Sequence, residues 1–137
     1  MNGKANTDFL VGLSAIKDTY VNGKNAAFDN SYDNYPAAFA CSLFKTEGTN
    51  QGDWYLPACG ELAYMVVRRN AINTTIEALG NLAVKVIDAS ESFGSWCWSS
   101  SEVSSLDVRI IYASGRVYFT DKGFPSNYLR VRAFTAL

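Results

Sequence analysis

Near Val84 the hydrophobic pattern of the chain changes period. Before that point apolar residues recur every three or four positions. Phe9, Leu10, Leu13 and Ile16 form one such set, and Ala37, Ala40, Cys41 and Phe44 a second. Leu62, Met65, Val66, Ile72, Ile76 and Leu79 form a third. That spacing puts an apolar stripe on one side of a helix. After Val84 the period is two. Val108, Ile110 and Tyr112 alternate with Arg109, Ile111 and Ala113, and Val117 and Phe119 alternate with Arg116, Tyr118 and Thr120. Leu129, Val131 and Ala133 alternate with Tyr128, Arg130 and Arg132. Alternation of this kind belongs to strands with one face buried. A helical half followed by a strand half is an α+β arrangement.

Local signals set the expected boundaries. Asn6-Thr7-Asp8 reads as an N-cap, Pro36 as the first turn of a second helix and Gly48 as its stop. Helices are expected over 7–16, 35–46 and 59–79, the last broken within Asn70–Asn73. A mostly antiparallel sheet is expected over 96–134, with Ser114-Gly115 as a two-residue hairpin turn. Residues 17–34 read as a loop. Without a repeat or a linker, residues 1–137 are expected to form a single domain.

Composition removes several kinds of chemistry. The chain has no His, so neither Ser-His-Asp nor Cys-His catalysis can be built from it. Cys41, Cys59 and Cys97 form no CxxC pair, and no metal or other cofactor is expected. Cys41 and Cys59 could meet in the core as free thiols, or pair in an oxidising compartment. Cys97 lies between two Trp, where apolar flanks raise a thiol pKa and quench reactivity. Glu61, Asp88, Glu91, Glu102 and Asp107 show no spacing that pairs two carboxylates. The Ser99-Ser100-Ser101-Glu102 run reads as a turn with side-chain-to-backbone bonds. The formal charge of −1 and the lack of a basic run argue against nucleic acid. No stretch is apolar enough to span a membrane, and Met1-Asn2-Gly3-Lys4 lacks the apolar core of a signal peptide. The expected class is a binding domain, not an enzyme.

The positive signal is aromatic and basic. Three Trp, eight Tyr and eight Phe are present. Arg109 and Arg116 flank the Ser114-Gly115 turn, and Tyr118 shares a face with Arg116. Tyr and Arg are the residue types that dominate binding hot spots.

Five motifs then follow in order: Gly3-Lys4-Ala5-Asn6-Thr7, Asp53-Trp54-Tyr55-Leu56-Pro57-Ala58, Glu61-Leu62, Trp98-Ser99-Ser100-Ser101-Glu102 and Val131-Arg132-Ala133-Phe134. Together they resemble the bacterial DUF1566-type domains, related to the C-terminal domain of a Legionella collagen-like protein and common in Bacteroides. The resemblance implies a C-type lectin-like fold. The lectin calcium loops E-P-N and Q-P-D are missing, so calcium-dependent sugar binding is not implied. Formylglycine-generating enzymes share the fold but need a Cys-based copper site, for which Cys97 alone does not suffice.

A subset of that family is the variable proteins of diversity-generating retroelements. Their C-terminal segment is rewritten by adenine mutagenesis, which turns AAY codons into NNY codons. Such codons exclude Lys, Glu, Gln, Met and Trp. From Val103 to Phe134, Lys122 is the only residue of those five types. The resemblance thus implies a variable segment over about 98–134 on a fixed framework of Val108, Ile110, Tyr112, Val117, Leu129 and Val131. The implied ligand-binding set is Val103, Leu106, Asp107, Arg109, Ile111, Ala113, Ser114, Arg116, Tyr118, Thr120, Asp121, Phe124 and Asn127. The implied partner is a protein or glycan on another cell, met at a bacterial surface or on a phage particle. An invariant adhesin or structural module is the alternative of a different class. A formylglycine-generating-type enzyme is the weakest alternative.

Overall fold

The computed structural model describes residues 2–13, 36–79, 96–121 and 129–135. Its elements are α1 (Gly3–Leu13), α2 (Pro36–Leu43), β1 (Trp54–Tyr55), α3 (Cys59–Val67) and α4 (Arg69–Ala78), then β2 (Trp96–Glu102), β3 (Asp107–Tyr112), β4 (Val117–Asp121), β5 (Leu129–Arg130) and β6 (Phe134–Thr135). Helices precede the main sheet, as the change of period predicts, and the fold class is α+β.

The helix boundaries differ from expectation for identifiable reasons. α1 starts four residues early because Asn2 caps it, its Oδ1 accepting the Ala5 N–H at 3.2 Å. The expected cap residues lie inside the helix. Asn6 Nδ2 donates to the Ser100 carbonyl at 3.1 Å. Thr7 Oγ1 accepts the Leu56 N–H at 2.9 Å and donates to the Leu56 carbonyl at 3.1 Å. Asp8 pairs with Lys4 one turn back. α2 opens at Pro36 as expected, but it buries Ala38, Phe39 and Cys41, while Ala40 and Phe44 are exposed. The third helical stretch breaks at Arg68 (φ −92°, ψ 4°), ahead of the Asn70–Asn73 stretch.

The main sheet has the order β4-β3-β2-β5. β2–β3 and β3–β4 are antiparallel, in keeping with the mostly antiparallel sheet expected, whereas β2–β5 is parallel, so the sheet is mixed. β1 and β6 form a separate antiparallel pair. The hairpin turn spans three residues, not two. Gly115 N–H closes on the Tyr112 carbonyl at 2.8 Å, and Tyr112 N–H donates to the Arg116 carbonyl at 2.8 Å. Gly115 sits at φ 93°, the left-handed position that this bulged turn needs.

Directly paired residues of a sheet project to the same face. One face therefore carries Trp96, Trp98, Val108, Ile110, Tyr112, Tyr118, Thr120 and Leu129. Leu10 of α1, Ala38 and Cys41 of α2, and Leu56 pack against it. The other face carries Cys97, Arg109, Ile111, Val117, Phe119, Asp121 and Arg130. Leu62 and Val66 of α3 pack on Cys97 and Ile111 there. The inner strands are thus covered on both faces. This corrects two expected surface positions, since Ile111 is 0% and Ala113 2% exposed.

Candidate functional site

A hydrogen-bonded hub holds the helices to the sheet, and its residues come from the sequence motifs. Glu61 Oε2 accepts Gly3 N–H at 3.1 Å and Ala58 N–H at 2.7 Å. Tyr55 Oη donates to Glu61 Oε1 at 3.4 Å. A Cβ on residue 3 would meet Glu61 Oε2, and would stand 2.6 Å from Ala58 N and 2.8 Å from Pro57 Cα, so this close approach requires glycine. Ser100 N–H donates to the Pro57 carbonyl at 2.9 Å, and Ser101 Oγ accepts Cys59 N–H at 2.9 Å. Ser99 Oγ donates to the Arg109 carbonyl at 2.7 Å.

The Ser run is therefore not a turn. It is the buried, irregular part of β2, which has two residues more than β3 between the pairs Trp98–Ile110 and Glu102–Val108. Its hydroxyls supply bonds that a regular ladder would otherwise make. The side-chain-to-backbone bonding expected of this run is present. Every one of these contacts is internal, so the hub serves the framework.

The thiols are likewise internal. Cys41, Cys59 and Cys97 are free and buried. Burial pushes the Cys41 pKa up to about 12 and raises those of Cys59 and Cys97. For Cys97 the nearby Arg132 and Arg130 oppose that rise, and for Cys59 Arg109 does. Among the described residues no group of three or more Cys, Asp or Glu is placed to hold a metal ion.

The exposed counterpart of this interior is the β3–β4 hairpin and the bend before it. β4 is the outermost of the described strands on its side of the sheet, and three successive residues of it are open: Val117 is 44%, Tyr118 46% and Phe119 68% exposed. Successive residues point to opposite faces, so neither helical layer reaches over β4. Val117 is expected inward, and the structure corrects it; Phe119, assigned to neither set, is open as well. Val131, also expected inward, is 40% exposed. Val108, Ile110 and Leu129 are buried as expected, and Tyr112 is half-buried.

The structure divides the expected ligand-binding set. Val103, Leu106, Arg109, Ser114, Arg116 and Tyr118 are exposed, and Asp107, Thr120 and Asp121 are half-buried. Phe124 and Asn127 lie outside the described residues. Arg109 and Tyr118 project from opposite faces, because Arg109 opposes Phe119 and Tyr118 opposes Ile110. Apart from Val103 and Leu106, the exposed residues belong to the β3–β4 hairpin, but to both of its faces and not to one flat surface. Val103 and Leu106 lie in the 103–106 bend before the hairpin, where Asp107 Oδ2 accepts the Ser104 hydroxyl at 2.9 Å.

An aromatic strip crosses the sheet toward this edge. Trp96 and Tyr112 have ring centroids 4.1 Å apart, Tyr112 and Tyr118 5.1 Å. Trp96 and Tyr118 are near parallel at 12°. The strip anchors Tyr118 on a rigid base while leaving it open to solvent. Sequence reasoning missed Val117 and Phe119 as surface residues. Their signal was present in the edge position of the strand, which alternation alone does not reveal.

Among the described residues no helix is long and apolar enough to cross a membrane. In comparisons with known proteins, no family model, no curated protein and no solved structure matches the chain.

Proposed function

We propose that the chain is a ligand-recognition domain of C-type lectin-like architecture, and that the edge of the β3–β4 hairpin is its contact surface. The observation that carries this reading is the run of open apolar side chains Val117, Tyr118 and Phe119 on an edge strand, bordered by the exposed Arg109 and Arg116. Apolar and aromatic residues clustered with Arg at a surface mark an interaction site. The contrast with the interior supports the same reading. The polar network at Glu61 and Ser99–Ser101 is spent on internal bonds, and the thiols are buried. We assign the domain to the variable proteins of diversity-generating retroelements, displayed by a bacterium or phage toward a protein or glycan of another cell.

The test is the flanking DNA. The reading predicts a reverse transcriptase gene and a near-copy of the 3′ coding end. Mismatches should fall at the codons of exposed residues such as Arg109, Arg116 and Tyr118. The codons of Ile110, Ile111 and Ala113 should be identical in the two copies. The absence of any near-copy would replace this reading with an invariant adhesin.

A further inference from the structure

We propose that Asn2-Gly3 is a self-modification site that Glu61 holds closed, so that it converts to a succinimide only when the N-terminus of α1 leaves the hub. In an Asn-Gly pair the main-chain nitrogen reaches the preceding side-chain amide readily, since glycine has no Cβ to bar the approach. At residue 3 the packing itself demands glycine, because a Cβ would stand 2.6 Å from Ala58 N and 2.8 Å from Pro57 Cα. The close contact that secures α1 therefore places a reactive bond at its first turn.

The reaction needs no cofactor and only water as co-reactant. The Gly3 nitrogen loses its proton and attacks Asn2 Cγ. The new N–Cγ bond closes the succinimide ring, the Cγ–Nδ2 bond breaks, and ammonia leaves with the proton. Water then opens the ring at either carbonyl, giving aspartate or isoaspartate at position 2.

Two bonds of the docked chain oppose that path. Gly3 N–H donates to Glu61 Oε2 at 3.1 Å, so the attacking nitrogen aims its proton at a carboxylate whose negative charge disfavours an amide anion beside it. The Asn2 carbonyl, whose carbon joins the ring, accepts Asn6 N–H at 3.1 Å at the start of α1. A third bond acts differently. Asn2 Oδ1 accepts the Ala5 N–H at 3.2 Å, which holds the side-chain amide in place but also polarises it. The nitrogen is thus the guarded partner, and Glu61 is its guard. The Tyr55 hydroxyl and Ala58 N–H fix the same carboxylate from β1 and from the start of α3. Isoaspartate carries the main chain through Cγ and lengthens it just before Gly3. The lengthened chain displaces Gly3 from Pro57 and Ala58, so an opened site stays open. Asn6 and Thr7 bond Ser100 and Leu56 independently, so the first turn loosens while the rest of α1 holds.

The experiment ages the full chain at neutral pH, in buffer and in urea. Protease mapping with mass spectrometry follows the peptide that holds Asn2, apart from the second Asn-Gly pair at Asn22-Gly23. In the folded parent Asn2 should convert at least about tenfold more slowly than in urea. Glu61→Ala should speed conversion in the folded chain by about tenfold or more, because it removes a hydrogen bond to a charged group. Ile111→Ala weakens the core away from the hub and should leave the rate near that of the parent, which separates local release from global unfolding. Should Glu61→Ala fail to fold, Glu61→Gln keeps the size, drops the charge and should shift the rate in the same direction. Conversion of the folded parent at the urea rate overturns the proposal. So does an unchanged rate in the folded Glu61 variant, or equal acceleration by Ile111→Ala. The isolated isoaspartate form should melt below Asn2→Asp, which bears the same charge on an unlengthened chain and keeps a capping acceptor. Equal melting temperatures for those two overturn the one-way character of the site.

Discussion

Ile111 and Val117 oppose each other across the β3–β4 ladder, and their side chains share a face. Yet Ile111 is closed and Val117 is open, because α3 reaches the first and not the second. Burial at this scale is decided by what lies above a residue, not by its chemistry. Ile111→Ala should therefore cost roughly 2–4 kcal/mol as a large-to-small core change. Val117→Ala should cost within about 0.5 kcal/mol. Urea unfolding of the two variants checks both. Thr7 presents a related case. It is buried, and its hydroxyl answers both the N–H and the C=O of Leu56. Thr7→Val keeps the volume and leaves both groups short of a partner, a loss of about 1–3 kcal/mol in the same assay. Cys41 adds a pH dependence. Its folded pKa is pushed up to about 12 from an ordinary 9.0, so the unfolded chain ionises first. Stability from this group is complete below pH 9.0 and falls as pH rises toward about 12. Cys41→Ala should lessen the alkaline decline in melting temperature, to which Cys59 and Cys97 also contribute, although it costs stability at every pH.

Among the elements, the helices were legible, and so were the start at Cys59 and the end near Leu79, but the start of α1 was not. Three helical stretches follow from period alone, and Pro36 marks a true start. The Asn6-Thr7-Asp8 signal failed because those side chains are used in tertiary and intrahelical bonds, to Ser100, Leu56 and Lys4. A capping residue and a tertiary anchor have the same composition, and only the fold tells them apart. The strand half was legible as strand, but alternation assumed one solvated face. With α1 and α2 on one face and α3 on the other, odd and even positions are both buried in β3. In β4, outermost of the described strands on its side, Val117, Tyr118 and Phe119 are open in succession. No periodicity distinguishes these two strands, since the difference is their place in the order β4-β3-β2-β5. At the hairpin, Gly115 holds φ 93°. Gly115→Ala should destabilise by about 1 kcal/mol, read as a lower urea midpoint, without changing the exposure of Tyr118.

For the molecule as a whole, the structure separates a cross-linked interior from an open edge. The motifs that carry the family resemblance map largely onto the interior, at Gly3, Thr7, Leu56, Ala58, Glu61 and Ser99–Ser101. They speak to the framework and are silent about what is bound. The residues proposed to meet a ligand lie on the hairpin edge, where substitution leaves these bonds intact. Such a division lets one part change freely while the other keeps the fold. The most direct measurement is a paired scan of Arg116→Ala, Tyr118→Ala, Phe119→Ala and Ser101→Ala, in which binding of the labelled domain to a panel of bacterial cells is read beside the melting temperature. The account predicts that the three edge variants lose binding, each by about 2 kcal/mol at a hot spot, and melt as the parent does. Ser101→Ala should melt lower and, while folded, still bind. Edge variants that bind as the parent does, or that melt as low as Ser101→Ala, would contradict it.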